Sequence, residues 1–364
     1  MTAPTGPPGL EGPRPAATGA PAGRAARRRT ALCVAGQSER TLPVPHPGRR
    51  MLGLVGGTSL LTAVALLVLA PVLHRHDVGA SPAYLLAGLL LGLPHGAVDH
   101  LVPAWMSARA RPPAARLAVA FGYAALAGAA LVVFRAVPGP ALVGFLALSV
   151  AHFGTADEAF HAERDGRPVR QSVSGVLARG GPPVLVPLLL WPDAVDLLLT
   201  AVAPGVPELL TVEVRALAVA CLLAAVARTV LRDVRAGRRA DAAEPVLLLA
   251  LFATVPPALA IGVYFATWHS ARHVARLLHG DPGNHADLAA GRLGPPLRRF
   301  ARRAALPTVA AVTALAALTV APGRPIDLLP ATVAVLAALT VPHSALVAWM
   351  DRRARPRHPS NPEN

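Results

Sequence analysis

Residues 245–278 read PVLLLALFATVPPALAIGVYFATWHSARHVARLL. A membrane helix needs about 20 apolar residues, so this run is too long for one crossing, and Pro256-Pro257 interrupts it. Comparable apolar runs occur at 52–73, 83–104, 117–134, 141–156, 180–199, 212–231, 305–321 and 328–350. Nine such runs predict an all-α, polytopic membrane helical bundle of about 8–10 transmembrane segments, with a Pro-broken segment near 245–278. Composition agrees. The 364 residues are 53% hydrophobic and 15% charged, where a soluble protein carries about 25% charged residues. That excludes a disordered chain and argues against an ordinary soluble globule. The formal net charge is +15, and all 35 basic residues are Arg. Such a balance usually raises nucleic acid as a partner. Here the Arg residues stand in blocks between apolar runs, so the expected partner is the lipid bilayer and no nucleic acid. Cys33 and Cys221 lie far apart and offer neither a disulfide framework nor a thiolate metal site.

Arg placement decides how the broken run crosses. If it crosses twice, as an arm near 245–255 and a helix near 258–278, one side of the membrane holds 31 Arg and the other holds 4: Arg75, Arg135, Arg215 and Arg324. If it crosses once, the split becomes 21 to 14. The positive-inside rule selects the first arrangement, which predicts a multi-pass protein of the cell membrane with both termini cytoplasmic. The short arm could span fully or be a re-entrant half-helix packed inside the bundle. The chain then divides into a disordered Arg/Pro-rich cytoplasmic tail (1–50), a transmembrane catalytic domain (51–351) and a second cytoplasmic tail (352–364). No apolar segment closely follows Arg27-Arg28-Arg29, so a twin-arginine signal is a poor reading. Met51, directly before the first apolar run, is an alternative start.

Of 13 His, seven (His46, His74, His76, His161, His279, His285 and His358) fall in loops or tails and read as solvated or incidental. Five lie inside apolar runs: His95, His152, His269, His273 and His343. His100 lies near a helix end. An ionisable side chain at membrane depth is costly and is usually paired, liganded or lining a cavity. One such His would read as an interhelical hydrogen-bonding residue. Five, on helices that all run outside to inside in the two-crossing arrangement, favour a shared metal site at one depth. His269 and His273 are one helical turn apart, about 6 Å in rise, on one face. Imidazoles without thiolate suit Fe, Cu or Zn. Asp99, one turn after His95, and Asp157 with Glu158, just after His152, are candidates to orient an imidazole through its other N–H. Pro94 and Pro342 each precede a His and could open the helix there. Trp105 and Trp349 read as interfacial anchors, Trp268 as packing beside the His pair, with a substrate-tunnel wall as the alternative, and Asp351 as a solvated helix end beside Arg352 and Arg353.

The motifs GLPHGAVD (92–99), HFGTAD (152–157), YFATWHSARH (264–273) and TVPH (340–343) resemble the Brp/Blh family of β-carotene 15,15'-dioxygenases, over about 83–351. The resemblance implies a membrane enzyme that cleaves the central double bond of β-carotene with O₂, giving two retinal molecules, with Fe(2+) as cofactor. It implies iron held by His95, His152, His269 and His273. His343 belongs to a family-like motif and is set beside the ligands as an outer candidate, with Asp99 and Asp157. Retinal so formed would supply a rhodopsin-type protein. Trp268 and Ala271 fall in variable slots and leave the metal site intact. A dry membrane cavity suits a C40 hydrocarbon, and iron–oxygen chemistry supplies the hard step. The H-x-x-H-H clusters of di-iron desaturases are missing from the sequence. A haem protein with paired His is another reading. The main alternative is a polytopic transporter with a His-based metal or proton site.

Overall fold

A computed structural model describes residues 48–76, 78–79, 81–107, 112–320 and 327–354. The expected tails, apart from their innermost residues, the Arg27-Arg28-Arg29 cluster and the loop bearing Arg324 lie outside the described residues. Every regular element among those residues is helical. The chain opens with α1 (Gly48–Arg75), followed by α2 (Pro82–Gly92), whose first turn is set by Pro82 and capped by the Ser81 hydroxyl. Two short 3₁₀ turns, Leu93–Gly96 and Asp99–Leu101, lead into a single α-turn at Val102–Trp105. Next come α3 (Pro113–Ala136) and α4 (Pro138–Asp165). Gly166 stops α4 at φ +66°, a left-handed cap that favours glycine.

Six helices among the described residues are long and apolar enough to cross a membrane. A seventh arises if α5 (Val173–Gly180) and α6 (Pro182–Leu190), bent by 59°, count as one span. This is fewer than the nine apolar runs: proline breaks those at 180–199 and 245–278, and the run at 305–321 lies in a continuous helix, Gly294–Val320, that is not among the six. The run at 180–199 starts a new helix at Pro182 and another at Pro192, where α7 (Pro192–Val202) begins. The run at 245–278 breaks at Val255-Pro256, as expected. It resolves into α9 (Arg239–Thr254), α10 (Pro257–Val263), a π-helical turn (Tyr264–Ser270) and α11 (Ala271–Gly280). Between these regions lies α8 (Val212–Arg235). The chain closes with the short α12 (His285–Ala289), then α13 (Gly294–Val320) and α14 (Leu328–Ala354).

The broken segment forms the centre of the largest core. Leu248, Leu251, Phe252, Val255, Ala260, Tyr264 and Trp268 are all buried there. Many large apolar side chains face outward instead, among them Leu61, Val68, Leu117, Phe121 and Leu306. Long apolar helices with apolar exteriors make this a multi-pass helical membrane protein. Glycine permits the tightest helix contacts. A Cβ on Gly88 would lie 2.1 Å from the Gly262 carbonyl oxygen, and one on Gly154 would lie 2.0 Å from the Val176 carbonyl oxygen. Backbone thus meets backbone between α2 and α10, and between α4 and α5, as small residues allow in membrane bundles.

Candidate metal centre

Four separate stretches of chain bring the histidines together. His95 sits in the 3₁₀ turn Leu93–Gly96, where Pro94 ends the regular helix. Its Nδ1–H donates to the Gly92 carbonyl at 2.6 Å, which leaves Nε2 as the lone-pair nitrogen. His152 lies midway along α4. His269 falls within the π-helical turn and His273 one turn later in α11. Single π turns within α-helices are frequent at functional sites. His343 follows Pro342 in α14, which stays continuous through that proline.

All five imidazoles are buried. One nitrogen each of His95, His152, His269 and His343 lie within 4.8 Å of one another. His273 falls instead in a second group of the same span with Asp99 and His343. The rings of His269 and His273 are 6.5 Å apart and nearly parallel. His343 is the shared neighbour, with its ring centroid 4.8 Å from those of His95 and His152 and 4.9 Å from that of His273. The Nε2 atoms of His152, His269 and His343, and both nitrogens of His273, have no hydrogen-bond partner. Buried imidazole nitrogens with no proton partner are a costly arrangement unless something binds them. A set of neutral nitrogen donors without thiolate fits a divalent transition metal such as iron.

The acidic residues divide in their roles. The Asp99 carboxylate accepts from His343 Nδ1–H at 2.6 Å, so the imidazole it orients is that of His343 and not of His95. Asp157 is held elsewhere: its oxygens accept from Trp268 Nε1–H at 2.9 Å and from Arg272 at 3.3 Å. Arg272 also forms a two-pronged pair with Glu244 and stacks over the Trp268 ring at 3.8 Å. His161, expected to be solvated, is buried and hydrogen-bonded to Glu244 at 2.8 Å. Asp351, expected at a solvated end, is buried against Arg276 at 2.6 Å and Gln171 at 3.1 Å. Arg179 pairs with Glu158 and Asp233, each at 2.7 Å. Glu158 therefore belongs to this ionic layer as well.

Sequence reading missed this layer because its partners lie far apart along the chain. Glu244 and Arg272 stand on opposite sides of the proline break. The signal that could have found it is the set of acids and Arg residues just inside helix ends, which a hydropathy reading treats as boundary charges.

A cavity of about 660 Å³ adjoins the cluster. His95, Pro94 and Ser270 line one part of it, and Val274, Phe300 and Ala304 another. Its wall is mainly apolar. Phe265 meets the His95 ring edge-on at 5.4 Å, and Phe153 lies 4.6 Å from His269. The arrangement can hold a metal in a dry site beside an apolar ligand.

A family profile described as beta-carotene 15,15'-dioxygenase matches residues 86–351. A Halobacterium salinarum protein named "Probable beta-carotene 15,15'-dioxygenase Blh" is 36% identical over 292 residues, covering 73% of this chain and 83% of that one. A second H. salinarum protein, named "Probable beta-carotene 15,15'-dioxygenase Brp", is 30% identical over 207 residues, 53% of this chain and 57% of its own. A "Beta-carotene 15,15'-dioxygenase" from an uncultured marine bacterium is 27% identical over 185 residues, 51% of this chain and 65% of its own. No solved structure matches.

Proposed function

Because the chain belongs to the β-carotene 15,15'-dioxygenase family, we propose that it is an iron-dependent enzyme that splits the central double bond of β-carotene with O₂. One C40 carotene and one O₂ give two molecules of retinal. The observation that carries this reading is the buried histidine cluster, one member of which, His95, lines an apolar cavity. His95, His152 and His269 would hold the iron, with His273 as the fourth ligand carried over from the family motif. Bound ferrous iron would supply oxygen activation, which no side chain of this protein can provide.

The chain's own residues do the rest. Gly92 fixes the His95 tautomer through its carbonyl, so one nitrogen is directed away from the backbone and free to ligate. The apolar wall excludes water and binds the polyene, whose surface has no polar group to satisfy. Val274, Phe300 and Ala304 supply that wall, and Phe265 packs edge-on against the His95 ring. The ionic layer of Arg272, Glu244, Asp157 and His161 fixes the broken segment that carries His269 and His273. The overall reaction, one carotene and one O₂ to two retinals, balances without a net proton.

The 31-to-4 Arg split supports cytoplasmic termini in the cell membrane, with 51–351 as the catalytic unit between two tails. A lipid-soluble substrate would then enter laterally, and a rhodopsin-type protein in the same membrane would take up the retinal. Expression in β-carotene-producing cells with added iron tests the proposal. Carotene should fall and retinal should accumulate. Persisting carotene without retinal, with the protein present in the membrane, would overturn it.

A further inference from the structure

We propose that His343 is itself a metal ligand of this centre and that Asp99 is the carboxylate that positions it. The inference rests on the iron reading above and adds a donor that the four-histidine motif count leaves out.

Three observations converge. First, His343 is the imidazole in closest company. Its nitrogen joins those of His95, His152 and His269 in one 4.8 Å group, and it also belongs to the group containing His273. Second, its tautomer is fixed. Nδ1–H donates to Asp99 at 2.6 Å, and both residues are buried. The lone pair is therefore on Nε2, the atom left without any partner. A carboxylate on the outer N–H of an imidazole raises the basicity of the other nitrogen and is the usual support of a ligating His. The hydrogen bond of Asp99 goes to His343, whereas His95 gives its outer N–H to Gly92. Third, the chain leaves room for the ring. A Cβ on Gly96 would lie 3.2 Å from His343 Nδ1, closer than ordinary van der Waals contact. The glycine after His95 thus spares the ring of His343, which lies on a helix distant in sequence.

A purely structural His343 would need a partner for Nε2, and none is present among the described residues. Its position among three other imidazoles leaves a shared cation as the chemistry that satisfies them together.

The test uses full-length protein purified in detergent, stripped with chelator and titrated with Fe(II) alone, with Co(II) as a spectroscopic probe. Wild type should bind iron stoichiometrically. His343→Ala should retain at most about a tenth of that iron, and its Co(II) absorption bands should shift as a nitrogen donor is lost. Asp99→Asn should bind iron about 10–100-fold more weakly while staying folded. If His343→Ala elutes as aggregate, the monodisperse His343→Gln takes its place, with the same loss expected. Full iron content and an unshifted Co(II) spectrum in a folded His343 variant would overturn the assignment while leaving the function standing. A wild-type protein that takes up no iron would overturn the iron reading and this assignment together.

Discussion

His152 presents a buried Nε2 with no partner to the centre of the cluster. His152→Ala should therefore lose both iron and cleavage. Metal analysis of the purified variant and retinal chromatography check this, and retention of both would remove His152 from the site. Glu244 makes a contrasting case. It receives Arg272 through two hydrogen bonds and His161 through a third, all buried. Glu244→Ala leaves the buried Arg272 guanidinium with only the longer 3.3 Å contact to Asp157, a loss of up to about 3–5 kcal/mol. The thermal midpoint in detergent should fall sharply, whereas an unchanged midpoint would mean the pair is solvated. The histidines were legible because an imidazole inside an apolar run has few explanations. Which nitrogen each one commits was not legible. That depends on contacts such as Asp99 with His343, 244 residues apart in sequence. His161 and Asp351 misled for a related reason: at a helix end, sequence cannot distinguish water from a buried Arg as the partner.

At the scale of elements, the proline break at Val255-Pro256 could be read directly, since Pro lacks the N–H a continuing helix needs. The π-helical turn at Tyr264–Ser270 could not, because its residues are ordinary helix and membrane residues and only packing selects the wider turn. Glycine contacts set the helix spacing. Leu at position 154 would drive a side chain into the Val176 carbonyl. Gly154→Leu should thus push α4 from α5, lower the thermal midpoint and reduce iron binding through displacement of His152. A variant with wild-type midpoint and full iron would show that the two helices can separate without disturbing the site.

For the whole molecule, nine apolar runs resolve into six helices able to cross a membrane, or seven with the bent pair. Hydropathy measures how greasy a run is. It does not measure how often proline restarts the helix inside it, so α5, α6 and α7 could not be counted from composition. The Arg distribution bears on sidedness, and the two-crossing arrangement predicts that a reporter fused after Arg303 reads as cytoplasmic. An extracytoplasmic signal there would reverse the orientation of α13 and α14. The central claim, symmetric iron-dependent cleavage, is tested most directly by product stoichiometry. Purified protein given Fe(II), air and β-carotene should release two retinal molecules for each carotene consumed, stop on chelation and resume when Fe(II) is restored. Two aldehydes of unequal length, or carotene left intact by iron-loaded protein, would contradict it.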